Sequence, residues 1–325
     1  MLDKLNRKID YLRISVIDRC NLRCVYCMPE EGIESIPHDE ILTYDEILRI
    51  CEIVSELGIR KIKITGGEPL VRKDIVNLIR DIKNIDKIEQ VTLTTNGILL
   101  HEMLDDLYDA GIDAINISLD TLNKDNFKKI TRRDGLEKVL MSIDKAYDLG
   151  IRVKINCLAI RDFNLREIVE IASFAKDREI DVRFIELMPI GFGKKYTQID
   201  NDEILSILES RFGTFEIVTE KRGNGPAVYY ANENFKGCIG FISAISHEFC
   251  ETCNRVRLTS NGFLKLCLHY NKGIDLKEPL RSNISDEDLT NMIHDAIKNK
   301  PLGHNFYHDS DMNNIESKNM VQIGG

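Results

Sequence analysis

The chain of 325 residues carries 44 Lys and Arg against 53 Asp and Glu, a net charge of −9, with 43% hydrophobic residues and no Trp. This is the balance of a soluble globular protein, long enough for two domains or for one barrel with an appendage. It excludes a transmembrane helix, since no apolar run approaches the ~18–20 residues one needs, and argues against a broad nucleic-acid footprint, which wants a basic domain; a local basic pocket stays open.

The N-terminal stretch MLDKLNRKIDYLRISV has neither the apolar core of a signal peptide nor the acid-poor composition of a transit peptide, so the expected compartment is the cytoplasm. Strands are expected at 12–16 (LRISV), 61–65 (KIKIT), 91–96 (VTLTTN), 114–120 (AINISLD), 152–160 (RVKINCLAI) and 182–188 (VRFIELM). Helices are expected between them, at 43–57 and at about 73–84, 101–110, 135–149 and 164–177. Thr43 with Glu46 three residues on reads as a capping box, and Gly58, Gly111 and Gly150 stand where helices close. Repeated strand–helix alternation implies an α/β fold with a parallel sheet. About six such units predict an incomplete (β/α)6 barrel or a doubly wound sheet.

Parallel strands buried on both faces read as continuous apolar runs; these do not. Arg13 and Ser15 alternate with Leu12, Ile14 and Val16, and Lys61, Lys63 and Thr65 with Ile62 and Ile64. Thr92, Thr94 and Asn96 form a third polar row, Asn116, Ser118 and Asp120 a fourth, Arg152, Lys154 and Asn156 a fifth. Because strand side chains alternate faces, one face of the sheet is polar. An antiparallel sheet with one wet side would show the same alternation, but the intervening helices argue for a barrel with a polar lumen. Arg13, Lys61, Lys63, Lys154 and Arg183 would point into it, a cation set suited to a polyanionic ligand such as a phosphorylated nucleotide.

Beyond about residue 190 the pattern changes. A helix at roughly 201–211 precedes the turn-rich GNGP at 223–226. Short strands follow (VYY, CIGFI, RVRLT, FLKLCL), then a helix near 284–298. Units 1–222 and 223–325 are expected, the second a smaller α+β module ending in the polar, aperiodic tail DSDMNNIESKNMVQIGG.

Six of the nine cysteines lie in two groups. An odd count in a chain of this kind favours metal binding or catalysis over disulfides. Cys20, Cys24 and Cys27 form a C-x3-C-x2-C loop just after the first strand. Three thiolates can hold a four-iron cube and leave one iron open to a small molecule; structural zinc would want a fourth ligand. Cys250, Cys253 and Cys267 make a second triad, with Arg255 and Arg257 between its members. There His247, His269 or Cys238 keeps a zinc site open as the alternative. Cys51 and Cys157 read as core thiols.

The first triad, with Tyr26 before its last Cys, and the later Thr65-Gly66-Gly67-Glu68-Pro69 together resemble the radical S-adenosylmethionine (SAM) superfamily. Nearly the whole chain resembles one family in it, the GTP 3′,8-cyclases of molybdenum cofactor biosynthesis. The resemblance rests on LRISVIDRCNLRCVYCMP, KIKITGGEPLVRKD, LTTNG, INISLDTL, VKIN, RFIELMPIG, FCETCNRVRLTSNGFLKLCL and the terminal IGG. It implies an incomplete TIM-like barrel of the radical SAM type, with the C-terminal module carrying an auxiliary cluster and a Gly-Gly tail. It implies two 4Fe–4S clusters, one binding SAM and one whose open iron faces GTP. A 5′-deoxyadenosyl radical would take a ribose hydrogen of GTP, and attack on C8 would give (8S)-3′,8-cyclo-7,8-dihydroguanosine 5′-triphosphate. Flavodoxin or ferredoxin as electron donor, hand-over to cyclic pyranopterin monophosphate synthase and a monomer or homodimer accompany it.

By the same resemblance Cys20, Cys24 and Cys27 hold the SAM cluster, and Cys250, Cys253 and Cys267 the auxiliary one. Tyr26, Gly67, Ser118 and Met188 match SAM-contacting positions. Arg13, Lys63, Thr94, Lys154, Arg255 and Arg257 match GTP-contacting positions, with Lys61 and Arg183 close by. Lys63 stands where the family commonly has Arg, which keeps the charge and loses the bidentate fork. Gly324 and Gly325 match the tail that enters the family's catalytic cavity. Two other readings compete: a peptide-modifying radical SAM enzyme, which usually has a longer, cysteine-richer C-terminal region, and a non-enzymatic iron–sulfur or zinc scaffold, which leaves the cationic lumen without a purpose.

Overall fold

The computed structural model describes residues 1–220, 222–246, 249–303 and 316–324. His247 and Gly325, both singled out above, lie outside the described residues.

Twelve strands form one sheet. They are β1 (Tyr11–Ser15), β2 (Lys61–Thr65), β3 (Gln90–Thr95), β4 (Ala114–Ser118), β5 (Arg152–Leu158), β6 (Asp181–Ile185), β7 (Glu216–Val218), β8 (Val228–Ala231), β9 (Ile239–Ile242), β10 (Arg255–Leu258), β11 (Phe263–Lys265) and β12 (Gly273–Asp275). Their order is β12-β11-β10-β1-β2-β3-β4-β5-β6-β9-β8-β7. The six expected strands run parallel in sequence order. The C-terminal strands do not build a sheet of their own. β10 pairs parallel with β1, and β9 parallel with β6. Both edges of the six-stranded half-barrel are thereby covered, which removes rows of unpaired N–H and C=O groups. β9 and β10 are not neighbours in the sheet, so the barrel stays open.

The alternation read from the sequence holds. Leu12, Ile14, Ile62, Ile64, Leu93, Ile115, Ile117, Val153 and Ile155 are buried in one continuous core outside the sheet. Helices α1 (Tyr44–Glu56), α2 (Ile75–Lys83), α3 (Leu100–Asp109), α4 (Lys124–Thr131) and α5 (Leu136–Asp148) cover it. Thr43 caps α1 as expected: its Oγ1 accepts from Glu46 N at 3.2 Å, and the Glu46 carboxylate accepts from Thr43 N at 2.7 Å. The helix expected at 164–177 is instead broken into α6 (Arg161–Asn164), a 3-10 turn, α7 (Ile168–Ala172) and α8 (Phe174–Asp177). Asn164 is the cause. Its buried side chain donates to the carbonyls of Asp120 and Leu158 and accepts from Ile160 N, tying the chain to the strand ends rather than letting the helix run on. Short α4 was not foreseen, because most of its residues are polar. The remaining helices are α9 (Asn201–Phe212), α10 (Lys277–Arg281), α11 (Asp286–Lys298) and α12 (Met320–Ile323). No described helix is long and apolar enough to cross a membrane.

Candidate active site

A cavity of about 400 Å³ fills the barrel. The polar parity of the strands lines it: Arg13 and Lys63, Thr92 and Thr94, Asn116 and Ser118, Lys154 and Asn156, and Arg183. The ladders explain the grouping. Arg257, Arg13, Lys63 and Thr92 face one another across β10, β1, β2 and β3. Thr94, Asn116, Lys154 and Asp181 make a second row across β3 to β6. Tyr26, Gly67, Met188, Arg255 and all six clustered cysteines also open on this cavity. Lys61 corrects an expectation. It shares the parity of Lys63 but stands at the strand's start, where its ammonium pairs with Asp10 at 2.8 Å, and it is not among the lining residues.

The first triad sits on a loop strapped to α4. Arg23 N and Val25 N donate to Thr131 O and Ile130 O, both at 2.9 Å, and Arg132 donates to the carbonyls of Arg23 and Met28. Gly67 closes the other side. A Cβ there would stand 2.3 Å from Arg19 O, so only glycine lets the strand end pack under the cysteine loop. The close approach it allows here is to backbone. Glu68 follows it in the same motif. It is buried and accepts from Leu70 N (3.1 Å), Thr95 Oγ1 (2.6 Å) and Asn96 N (2.7 Å), so it also fixes the strand-end loops. Burial pushes its carboxyl up to about 7. Tyr26 donates to Asp120 at 2.6 Å, and burial raises Asp120 to about 6. Burial likewise drives the thiols up, Cys20 to about 11, Cys27 to about 12 and Cys24 well above its usual range.

The second triad lies among cations. Although burial raises Cys253, the charges of Lys300, Arg255 and Arg257 and a backbone N–H from Arg255 outweigh it and bring the thiol down to about 7. The Cys250 segment is held from behind by buried Arg7. That guanidinium pairs with Asp3 and donates to the carbonyls of Cys250, Lys300, Pro301 and Leu302. Burial and then the charges of Arg183, Arg13, Lys154 and Arg255 push Lys63 far below the usual range for a lysine, a direct sign that these cations converge. Nε of Arg183 and of Arg255 are buried without a hydrogen-bond partner among the described residues. Lys154 is not idle: it pairs with Asp181 at 2.9 Å, meets Tyr229 Oη at 2.9 Å and donates to Arg222 O.

The tail enters the barrel. Met320 and Val321 line the cavity, Val321 N–H donates to the Cys27 thiol, and Arg257 donates to Gly324 O at 2.9 Å. The sequence reading did not pick out Lys300 or Arg222 as cavity cations. Neither sits on a strand parity row, and no motif marks them.

The donor set fits iron–sulfur clusters. Each triad offers three thiols and no carboxylate to one cavity, and none of the nine cysteines is in a disulfide. Among the described residues no three His, Cys, Asp or Glu close on a single-ion position.

Residues 14–175 match the model of the radical SAM superfamily, and residues 180–306 that of the molybdenum cofactor synthesis C-terminal family. The chain is 48% identical to a GTP 3′,8-cyclase of Clostridium perfringens (strain 13 / Type A) over the full length of both. It is 50% identical to one of Desulforamulus reducens, over 94% of this chain and 95% of that one. Molybdenum cofactor biosynthesis protein 1 of Drosophila melanogaster is 45% identical over 94% of this chain and 54% of its own. In fold, Streptococcus suis SuiB bound to S-adenosylmethionine superposes with a TM-score of 0.63 at 17% identity, over 90% of this chain and 68% of that one. The full-length identities, together with both triads opening on one cation-lined barrel, show that the chain belongs to the GTP 3′,8-cyclase family of the radical SAM superfamily.

Proposed function

We propose that this chain is a lyase converting GTP to (8S)-3′,8-cyclo-7,8-dihydroguanosine 5′-triphosphate, the first step of molybdenum cofactor biosynthesis. The observation that carries the reading is one cavity with a cysteine triad at each side and converging cations between them. Cys20, Cys24 and Cys27 would hold the cluster that binds SAM, and Cys250, Cys253 and Cys267 an auxiliary 4Fe–4S cluster. When bound, the SAM cluster supplies a one-electron route to a carbon-centred radical.

The rest is the work of the chain. Arg13, Lys63, Lys154 and Arg183 bind the triphosphate, whose charge relieves their mutual repulsion. Arg255 and Arg257 hold substrate beside the second triad, and Thr94 orients it with Asn116, whose amide donates to Thr94 Oγ1 at 3.3 Å. Tyr26, Gly67, Ser118 and Met188 border the SAM side of the cavity. The tail, docked as far as Gly324, positions the reacting nucleotide, and Gly325 is assigned the same role by the family resemblance. The division at 222–223, with the SAM triad before it and the second triad and tail after it, is part of this proposal. So are a cytoplasmic location, a flavodoxin- or ferredoxin-type donor, and transfer of the product to cyclic pyranopterin monophosphate synthase.

The test is anaerobic preparation, iron and sulfide analysis, then incubation with SAM, reductant and GTP. About eight irons per chain and the cyclic product are expected, from two four-iron cubes. One zinc per chain at the second triad of a protein that still turns over would overturn the cluster assignment.

A further inference from the structure

The proposed chemistry leaves one deeply buried ion pair unused. Lys265 on β11 and Glu316 at the start of the described tail pair with side chains 1% and 2% exposed. Both are fully engaged. Lys265 Nζ also donates to Tyr270 O at 3.0 Å. Glu316 Oε1 accepts from Lys318 N at 2.8 Å, and Glu316 N donates to His269 O at 2.8 Å. Taking two charges out of water costs free energy that a matched apolar pair would not. Such a pair is better suited to fixing register than to raising stability.

The register matters here. Lys265 lies directly opposite Arg257 in the β10–β11 ladder, so the two side chains share a face. Arg257 grips the far end of the same tail through Gly324 O. Between the two grips, an Asn319–Gln322 capping box starts α12. Gly324 has φ 72°, and a Cβ there would stand 2.9 Å from Ser15 Cβ. A slip by one residue would drive the Ile323 side chain into that place.

We propose that the Lys265–Glu316 pair is the anchor of the C-terminal tail, fixing the point from which residues 317–324 reach into the barrel and so which tail atoms meet Cys27, Arg257 and Ser15. Lys265 and Glu316 are positioning residues; neither is placed on substrate. The docking claim stands on geometry alone, whereas its catalytic consequence rests on the cyclase reading.

The experiment compares wild type and Glu316→Gln as anaerobic, cluster-loaded protein, by hydrogen exchange of peptides covering β1–β6 and the tail. Tail amides should exchange about tenfold faster or more, through local opening, while strand amides keep their protection. Tail exchange at the wild-type rate overturns the anchor. If strand protection also falls, Lys265→Met with Glu316→Met removes both charges without stranding either. Strands as in wild type with a fast tail then support the anchor, and a tail protected as in wild type overturns it. A second readout separates this from the functional reading: cyclic product per 5′-deoxyadenosine released with SAM and GTP. That ratio should fall severalfold in Glu316→Gln with the iron content unchanged. Absence of cyclic product from wild type would defeat the cyclase reading and leave the exchange result standing.

Discussion

The two cysteine triads share one cavity and differ in the charges around their sulfurs. Around Cys20, Cys24 and Cys27 burial pushes the thiols up, with Glu68 adding to it at Cys20 and Asp120 at Cys24. Around Cys253 burial acts the same way, but the charges of Lys300, Arg255 and Arg257 outweigh it and the thiol is pulled down. The second half of the barrel therefore favours negative charge, whereas the first has no comparable set of cations among the described residues, Glu68 and Asp120 standing there instead. On the proposed function, the triphosphate would lie on the cationic side of the lumen and SAM by the first triad, in a protein whose net charge is −9.

The largest test of that division is Cys24→Ala. With two ligands left, the first site should lose its cluster and all SAM cleavage. Iron should fall from about eight to about four per chain, because the second triad stands on separate segments. Loss of both clusters together would show that the halves are not independent. Next in size is Lys154→Ala. Removing one cation from the anionic-ligand half should weaken GTP binding by about 2–5 kcal/mol, read by titration calorimetry, with SAM affinity unchanged. Equal losses for the two ligands would break the comparison.

Much of this was legible in the sequence, for physical reasons. Period-2 alternation in β1 to β5 marked most of the lumen face, and the C-x3-C-x2-C spacing marked the first triad. What escaped was set by tertiary contacts. Lys61 obeys the parity and still misses the cavity, because its fate is decided by Asp10, fifty-one positions away. The roles of Glu68 and Gly67 as loop supports depend on Asn96 and Arg19, which no local pattern pairs with them. The placement of β9 and β10 on opposite edges depends on long-range pairing, which short strands in sequence do not announce. Lys300 and Arg7 support the second triad from segments that carry no motif.

The electrostatic difference itself is measurable in cluster-free protein by pH-dependent alkylation. Cys253, held near 7, should react with an apparent pKa about two units below the usual value, while Cys20 and Cys27, at about 11 and 12, stay unreactive at pH 8. The sign for stability follows. A thiol whose folded pKa is depressed stabilises the fold above its unfolded value near 9, and that contribution is lost as pH falls through about 7. Replacing Lys300 by Met removes the largest of the charges that lower it and should move the Cys253 profile upward. A profile that does not move would show that the cationic half is not set by Lys300.

The smallest expected effect falls where the halves meet. Gly324 touches Ser15 and Thr65 at the ends of β1 and β2, and its carbonyl accepts from Arg257 on the other side. Its φ of 72° lies in the left-handed region. An alanine there carries a penalty of roughly 1–2 kcal/mol, and its Cβ meets Ser15 at 2.9 Å. The clusters do not depend on this residue, so Gly324→Ala should keep full iron content and nearly wild-type melting. Only the docking of the tail should weaken, by about tenfold for a penalty of that size. Product per SAM cleaved should fall with it, since on the proposed function SAM cleavage needs the first triad's half alone and cyclisation needs both. A Gly324→Ala protein whose coupling ratio equals that of wild type would show that the tail does not bridge the two halves during turnover.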